Sequence, residues 1–313
     1  MKGKLKSFKL KYILFLFVAA AAVTLPLRVY QLLTVVEAET GFFASNDISV
    51  YLLYGICGVF CLLTILFAFM SGQVPDPKLP VGKNKLLGVA SGLFALGLLW
   101  SIVDNLVDLI RVFTGKYVVI GSEGLLSFLQ EQGGFVVIIK IIAAFLGAIY
   151  LLVFTVSHFD GKASYREQRI LALMPLAWCV CSLIGCLIQA ISYIKMSELF
   201  FEMAMYLFLM LFLMAFARVC SGVSEKNTMW EIYAFGLPAA LFALIVSVPR
   251  LIVLVMGKSA VAAHPFDASD LTVALFVILY IFASLGVGFN KEALAPQARE
   301  AQPVIREKQG GQE

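Results

Sequence analysis

The chain has 313 residues, of which 61% are hydrophobic and 14% are charged, and its formal net charge is +4. Soluble domains carry about 25% charged residues, so this composition excludes an ordinary soluble domain and makes lipid part of the solvent. The basic residues are scattered among short loops and form no stripe, which argues against a nucleic-acid partner.

Eight apolar stretches are long enough to cross a bilayer as helices, since about 20 residues span the hydrocarbon. In chain order they are 12–36, 48–70, 86–111, 135–156, 170–194, 199–219, 231–256 and 271–289. The sequence therefore predicts an all-α fold, a polytopic transmembrane helical bundle forming one domain over 1–289. The polar segment 290–313 has no apolar period and is predicted to be a disordered cytoplasmic tail.

The first stretch follows a run of lysines and so resembles a signal peptide. Its apolar character continues past Arg28 to Val36, however, which is long enough to span. We interpret it as an uncleaved first helix that also serves as the targeting signal. Cleavage near Ala21 is the alternative.

The distribution of Lys and Arg predicts the orientation. With the N-terminus inside, 17 of the 24 basic residues fall in cytoplasmic segments, and every such segment contributes. The external loops hold only Lys116, Lys195 and Lys258. The alternation predicts a multi-pass protein of the cell membrane with both termini cytoplasmic.

One external loop, 112–134, is longer than the others. Within it, Ser122 can cap a short helix that continues to Gln130 and ends before two glycines. We expect this helix to rest on the membrane surface; a lid over an outward-facing cavity is the alternative.

The two halves of the chain contain a short similar segment. Leu93-Phe94-Ala95-Leu96 in the third stretch recurs as Leu241-Phe242-Ala243-Leu244 in the seventh. Four stretches followed by four would give both halves the same orientation, so the pattern is compatible with a parallel repeat. Leu, Phe and Ala are abundant here, and a chance match is the alternative.

Ionisable and polar residues within the predicted spans fall in one layer, toward the external side. Most lie about 9 Å outward from the middle of their span, taking 1.5 Å per helical residue. The layer consists of Arg28, Asp104, Lys140, Gln189, Glu202 and Arg250, and the third span continues outward with Asp108 and Arg111. A charge in hydrocarbon costs about 2.5–3.5 kcal/mol or more, so these side chains are expected to face inward.

The layer has two interpretations. In the first, Arg28, Asp104, Asp108, Lys140, Gln189, Glu202 and Arg250 line a ligand or ion pathway open to the outside. Such a pocket suits a small anionic or zwitterionic solute or a lipid headgroup. In the second, the acids form structural ion pairs while the arginines snorkel to the interface. Pro26 and Pro249 lie beside Arg28 and Arg250, and helices broken next to charges are common at transporter sites.

Motifs of catalytic and metal chemistry are missing from the sequence. It has no GxxxxGK[ST], no HExxH and no GxSxG. Asp104 and Asp108 form a DxxxD pair, but the additional acids that metal-dependent lipid transferases use are missing. The cysteines lie in apolar runs and are interpreted as small packing residues without disulfides: Cys57, Cys61, Cys179, Cys181, Cys186 and Cys220. We therefore predict no cofactor and no metal.

Three classes of function remain. The first is a carrier or permease that uses the polar layer to bind its solute. The second is a membrane-embedded enzyme acting on a lipid or lipid-linked substrate, which is less favoured because no nucleophile or metal set is evident. The third is a structural or assembly subunit of a membrane complex. In each case the bilayer itself is the predicted partner.

Overall fold

The structure is a computed structural model that describes residues 11–36, 43, 47–70, 84–113, 134–161, 164–188, 196–223, 228–257 and 266–284. Within these ranges the chain forms eight α-helices. They are α1 (Lys11–Tyr30), α2 (Ile48–Met70), α3 (Lys85–Phe113), α4 (Gly134–Asp160), α5 (Met174–Ile188), α6 (Met196–Cys220), α7 (Thr228–Val255) and α8 (Ala268–Ser284). The predicted all-α helical bundle is confirmed.

Seven segments are long and apolar enough to cross a membrane. The eighth, α8, is also apolar but has 17 residues up to the last described position. Three helices begin three residues earlier than predicted: α6 at Met196, α7 at Thr228 and α8 at Ala268. The earlier starts of α6 and α8 place Glu198 and Asp270 inside helices, whereas the sequence predicts them in external loops.

Several predictions fall outside the described residues. The short helix expected between Ser122 and Gln130 is one, and the tail 290–313 is another. Gln189 also lies outside, just beyond the described end of α5.

Helix α7 is the centre of the bundle. It packs against α1, α2, α6 and α8, and 67% of its most apolar segment is buried, compared with 28–50% in the other six spans. Most of its side chains therefore contact other helices and not lipid. Gly236 permits the close approach, because a Cβ atom there would lie 2.8 Å from the Phe212 ring. Pro238 and Pro249 are buried within α7, where the surrounding helices hold it in place.

Aromatic rings fill the space between α3, α4, α5, α6 and α8. Phe276 lies 5.4 Å from Phe94, 5.5 Å from Phe216 and 6.3 Å from Phe154, measured between ring centroids. Trp178 extends the group by packing edge-on against Phe94. All five side chains are buried. This set of rings, here the aromatic core, closes the half of the bundle that is predicted to be cytoplasmic.

The surface of the bundle is apolar. Phe15 and Phe69 are each 76% exposed and Ile110 is 58% exposed, and similar side chains cover the outer faces of the other helices. Water would penalise so large an apolar area, whereas hydrocarbon does not. By length, composition and surface, the chain is a multi-pass membrane protein.

The proposed repeat stays a prediction. Its counterpart helices have different neighbours: α3 packs against α4 and α8, whereas α7 packs against four helices. Phe94 lies in the aromatic core, whereas Phe242 stacks on Phe208.

The close contact of α3 with α8 can be tested at Gly97. A Cβ atom there would collide with Thr272 Oγ1 and lie 3.1 Å from the Cα atom of Ser269. Gly97→Leu should therefore separate the helices and lower the free energy of unfolding by about 1–3 kcal/mol. Gly58→Leu is the matched control, because nothing lies within 4 Å of its added Cβ. Thermal unfolding in detergent should show a clear loss for the first variant only; equal loss in both would contradict this packing.

Candidate functional site

A buried arginine joins α6 to α7. Arg250 Nη2 donates hydrogen bonds to Glu198 Oε2 at 3.0 Å and to Glu202 Oε1. The two glutamates are four residues apart on α6 and so share one face of that helix. Arg250, Glu198 and Glu202 retain 5%, 6% and 8% of their exposure, respectively. One guanidinium therefore pairs with two carboxylates that are almost closed to solvent.

Arg28 of α1 lies beside this ion pair. Its Nη1 donates to Gln31 Oε1 at 3.2 Å, and its guanidinium carbon lies 4.9 Å from the centroid of the Phe201 ring. Phe201 is stacked in turn on Tyr54 of α2, with ring centroids 5.3 Å apart. Arg28 also lies within electrostatic range of Glu198. The aromatic face replaces part of the solvation that the buried cation has lost.

The backbone of α1 changes its winding next to Arg28. Pro26 lies within the helix, and Gln31–Val35 forms a π-helical turn in which Val36 N–H donates to Gln31 O at 2.9 Å. Gln31 Nε2 also donates to Ser49 O at 2.8 Å, which ties this turn to the start of α2. π-turns are rare in proteins, and those that occur are often found at functional sites. Gln31, the first residue of this turn, accepts the hydrogen bond from Arg28.

A small cavity separates the two arginines. It measures about 10 Å³ and is bounded by Arg28, Glu198, Phe201 and Arg250, with aliphatic side chains completing its walls. That volume holds about one water molecule. In this conformation the charged groups are packed against one another.

Asp270, in the first turn of α8, is a further buried acid at the same end of the bundle. It retains 3% of its exposure and lies within electrostatic range of Arg250, Glu202 and Lys140. Lys140 on α4 is itself half-buried. We call the five buried members the buried charged cluster: Arg28, Glu198, Glu202, Arg250 and Asp270.

The predicted polar layer divides into three groups. Arg28, Glu202 and Arg250 are brought together, with Lys140 at their edge. Asp104 on α3 is exposed, and its predicted place in a ligand or ion pathway stays a prediction. The buried stripe of α3 runs through Leu98 and Ser101 to Asn105, one residue beyond Asp104, as the 3.6-residue period requires.

The remaining predicted residues are not placed. Gln189 lies outside the described residues, and so does the side chain of Asp108 on α3.

Sequence reasoning missed three members of the site: Glu198, Asp270 and Gln31. The first two were assigned to loops because apolar length alone placed the helix starts after them. The spacing of Glu198 and Glu202 would have indicated a shared helical face. Gln31 carries no charge and gives no comparable signal.

Among the described residues, no three His, Cys, Asp or Glu side chains are arranged to hold a metal ion. Comparison of the chain with protein-family models, with curated proteins and with solved structures gives no match. The class of the protein therefore rests on its own fold, which is that of a multi-pass helical membrane protein with a buried charged cluster near one end.

The pairing of Arg250 with α6 predicts strong coupling between the partners. Arg250→Gln leaves two carboxylates buried without their cation and should cost about 3–5 kcal/mol of unfolding free energy. Adding Glu202→Gln removes one of those charges, so the double variant should lose about 1–3 kcal/mol less than the sum of the single variants. Equilibrium unfolding in mixed detergent micelles measures this difference.

The control is the exposed pair Arg218 and Glu231, whose charged atoms are 3.3 Å apart. Its side chains retain 46% and 21% of their exposure, so the same double-variant cycle should give about 0–1 kcal/mol. Additive losses at Arg250 and Glu202 would show that the buried pair is not a unit.

Proposed function

We propose that the protein is a carrier for a small zwitterionic or anionic solute, with the buried charged cluster as its binding layer. One observation carries the proposal. Two arginines from different helices and Glu198 surround a small cavity close to a break in α1, and Glu202 is bonded to one of those arginines. Ionisable residues inside membrane spans are expensive and mark solute or ion pathways more often than structural contacts.

The charges around the cavity favour a ligand that carries both signs. Arg250 is already bonded to two carboxylates, whereas Arg28 is held by a neutral amide and an aromatic face. A guanidinium binds a carboxylate or phosphate through two parallel hydrogen bonds. In this proposal Arg28 binds the anionic end of the solute and Glu198 binds a cationic end. A net-neutral ligand leaves the charge balance of the cluster unchanged.

Binding requires a change of conformation, since the cavity has room for about one water molecule. The break at Pro26 and the π-turn at Gln31–Val35 supply a hinge in α1. Movement of this segment away from α6 and α7 opens the cavity. In this proposal the aromatic core keeps the solute from passing to the predicted cytoplasmic side while the external side is open, as alternating access requires.

The other classes have less support. An enzyme needs a nucleophile or a metal set at the site, and the side chains that line the cavity are two arginines, one glutamate and apolar groups. A purely structural role accounts for the Arg250 pair but gives no reason for Arg28, the π-turn and the cavity to meet at one point.

Uptake into proteoliposomes tests the proposal. Radiolabelled glycine, β-alanine, glycine betaine and phosphocholine are suitable probes, since each joins an anionic to a cationic group. At least one should show saturable uptake by the wild-type protein above empty liposomes. Arg28→Gln should reduce that uptake about tenfold or more, because charge-assisted hydrogen bonds contribute about 1.5–3 kcal/mol.

Arg218→Gln is the matched control, because it removes an arginine from an exposed pair at the other end of the bundle. Its uptake should stay within about twofold of wild type. No saturable uptake of any probe, or equal uptake by Arg28→Gln and the wild type, contradicts the proposal.

A further inference from the structure

The buried charged cluster holds one acid more than it holds bases. Among the described residues at this end of the bundle, Arg28 and Arg250 face Glu198, Glu202 and Asp270. Lys140 is half-buried and lies at the edge, where its long side chain can reach solvent. An excess charge in a low-dielectric interior is strongly unfavourable, so one further positive charge is needed.

Asp270 is the acid of the cluster whose carboxyl group has the fewest hydrogen bonds from described residues. Its Oδ1 atom is fully buried and receives no hydrogen bond from any described residue. Glu198 and Glu202, by contrast, each accept one from Arg250. Burial without donors disfavours the charged form of a carboxyl group.

The charged groups that face Asp270 are of both signs. Those within electrostatic range are Arg250 from α7, Glu202 and Tyr206 from α6, Cys179 and Cys186 from α5, Lys140 from α4, and Asp267 from the preceding turn. α3 meets this end of α8 at Gly97, which brings no side chain. Lys140 lies at the edge of the cluster, and Arg250 already donates to Glu198 and Glu202, so neither cation bonds to the buried Oδ1 atom of Asp270.

The start of α8 does not supply the missing charge. A helix N-terminus favours a carboxylate, but Asp267 already occupies that position, with its Oδ1 accepting a hydrogen bond from Ser269 N–H at 2.8 Å. Its own negative charge opposes a second one at Asp270.

We propose that Asp270 is a proton-binding site and that its proton makes the buried charged cluster electrically neutral. A proton needs one oxygen atom, whereas a metal cation needs several ligands in a shell. The described residues provide no group of three or more suitable side chains. In the carrier proposed above the proton is the coupling ion; only that statement rests on the proposed function.

Infrared spectroscopy of the full chain in lipid nanodiscs, without any solute, tests the site. The wild-type protein near neutral pH should show the C=O stretch of a protonated carboxyl group. The band should shift when aspartate is labelled with ¹³C at its side-chain carboxyl, and it should vanish in a single one-proton step as the pH is raised. The isotope-label measurement uses the wild-type protein, so its result does not depend on whether a variant folds.

Two isosteric variants assign the band. Asp270→Asn should remove it, whereas Asp267→Asn should keep it, since asparagine caps a helix as well as aspartate does. A wild-type protein without the band, a band that ignores the aspartate label, or a band that survives Asp270→Asn overturns the proposal. These outcomes do not depend on transport, so a failure of the uptake experiment is distinguishable from a failure here.

Discussion

One guanidinium, that of Arg250, holds two carboxylates of α6 against α7, and the predicted external end of the bundle is arranged around this contact. Neither sign of charge is stable there without the other, because water is excluded and the surrounding helices offer few donors. Glu198 and Glu202 fix the rotation of α6, since both must point at the same arginine. Phe201, next to Glu202 on that helix, then packs against the Arg28 guanidinium, so α1 also contacts this part of α6.

Helix α7 can hold this contact because it is enclosed by four neighbours. Most of its residues are apolar, and its small residues allow close packing. Pro249 beside Arg250 is tolerated because adjacent helices fix the backbone. At the other end the rings of Phe94, Phe154 and Phe276 fill the space between the helices. The bundle thus has a polar end with a small cavity and a closed aromatic end, an asymmetry on which the transport proposal depends.

The π-turn after Arg28 is the local feature that connects architecture with activity. It interrupts the α-helical hydrogen bonds just where the charged side chains meet, and Gln31 ties it to α2 through Ser49 O. In the proposed transport cycle this segment is the hinge. Asp270 belongs to a different helix, α8. Solute and proton would therefore act on the same set of charges from different helices.

The sequence by itself determined the class of protein and nearly all of the helices, because crossing hydrocarbon requires long apolar segments whose length and breaks are visible in one dimension. It also indicated that Arg28, Glu202 and Arg250 lie at one depth. Only the tertiary structure decided which charges meet, because that depends on the rotation of each helix and on starts that differ by single turns. Helix starts three residues earlier than predicted place Glu198 and Asp270 in the cluster and not in loops. The depth of a charged residue in the membrane follows from counting residues along its helix, whereas its contacts follow from how the helices pack.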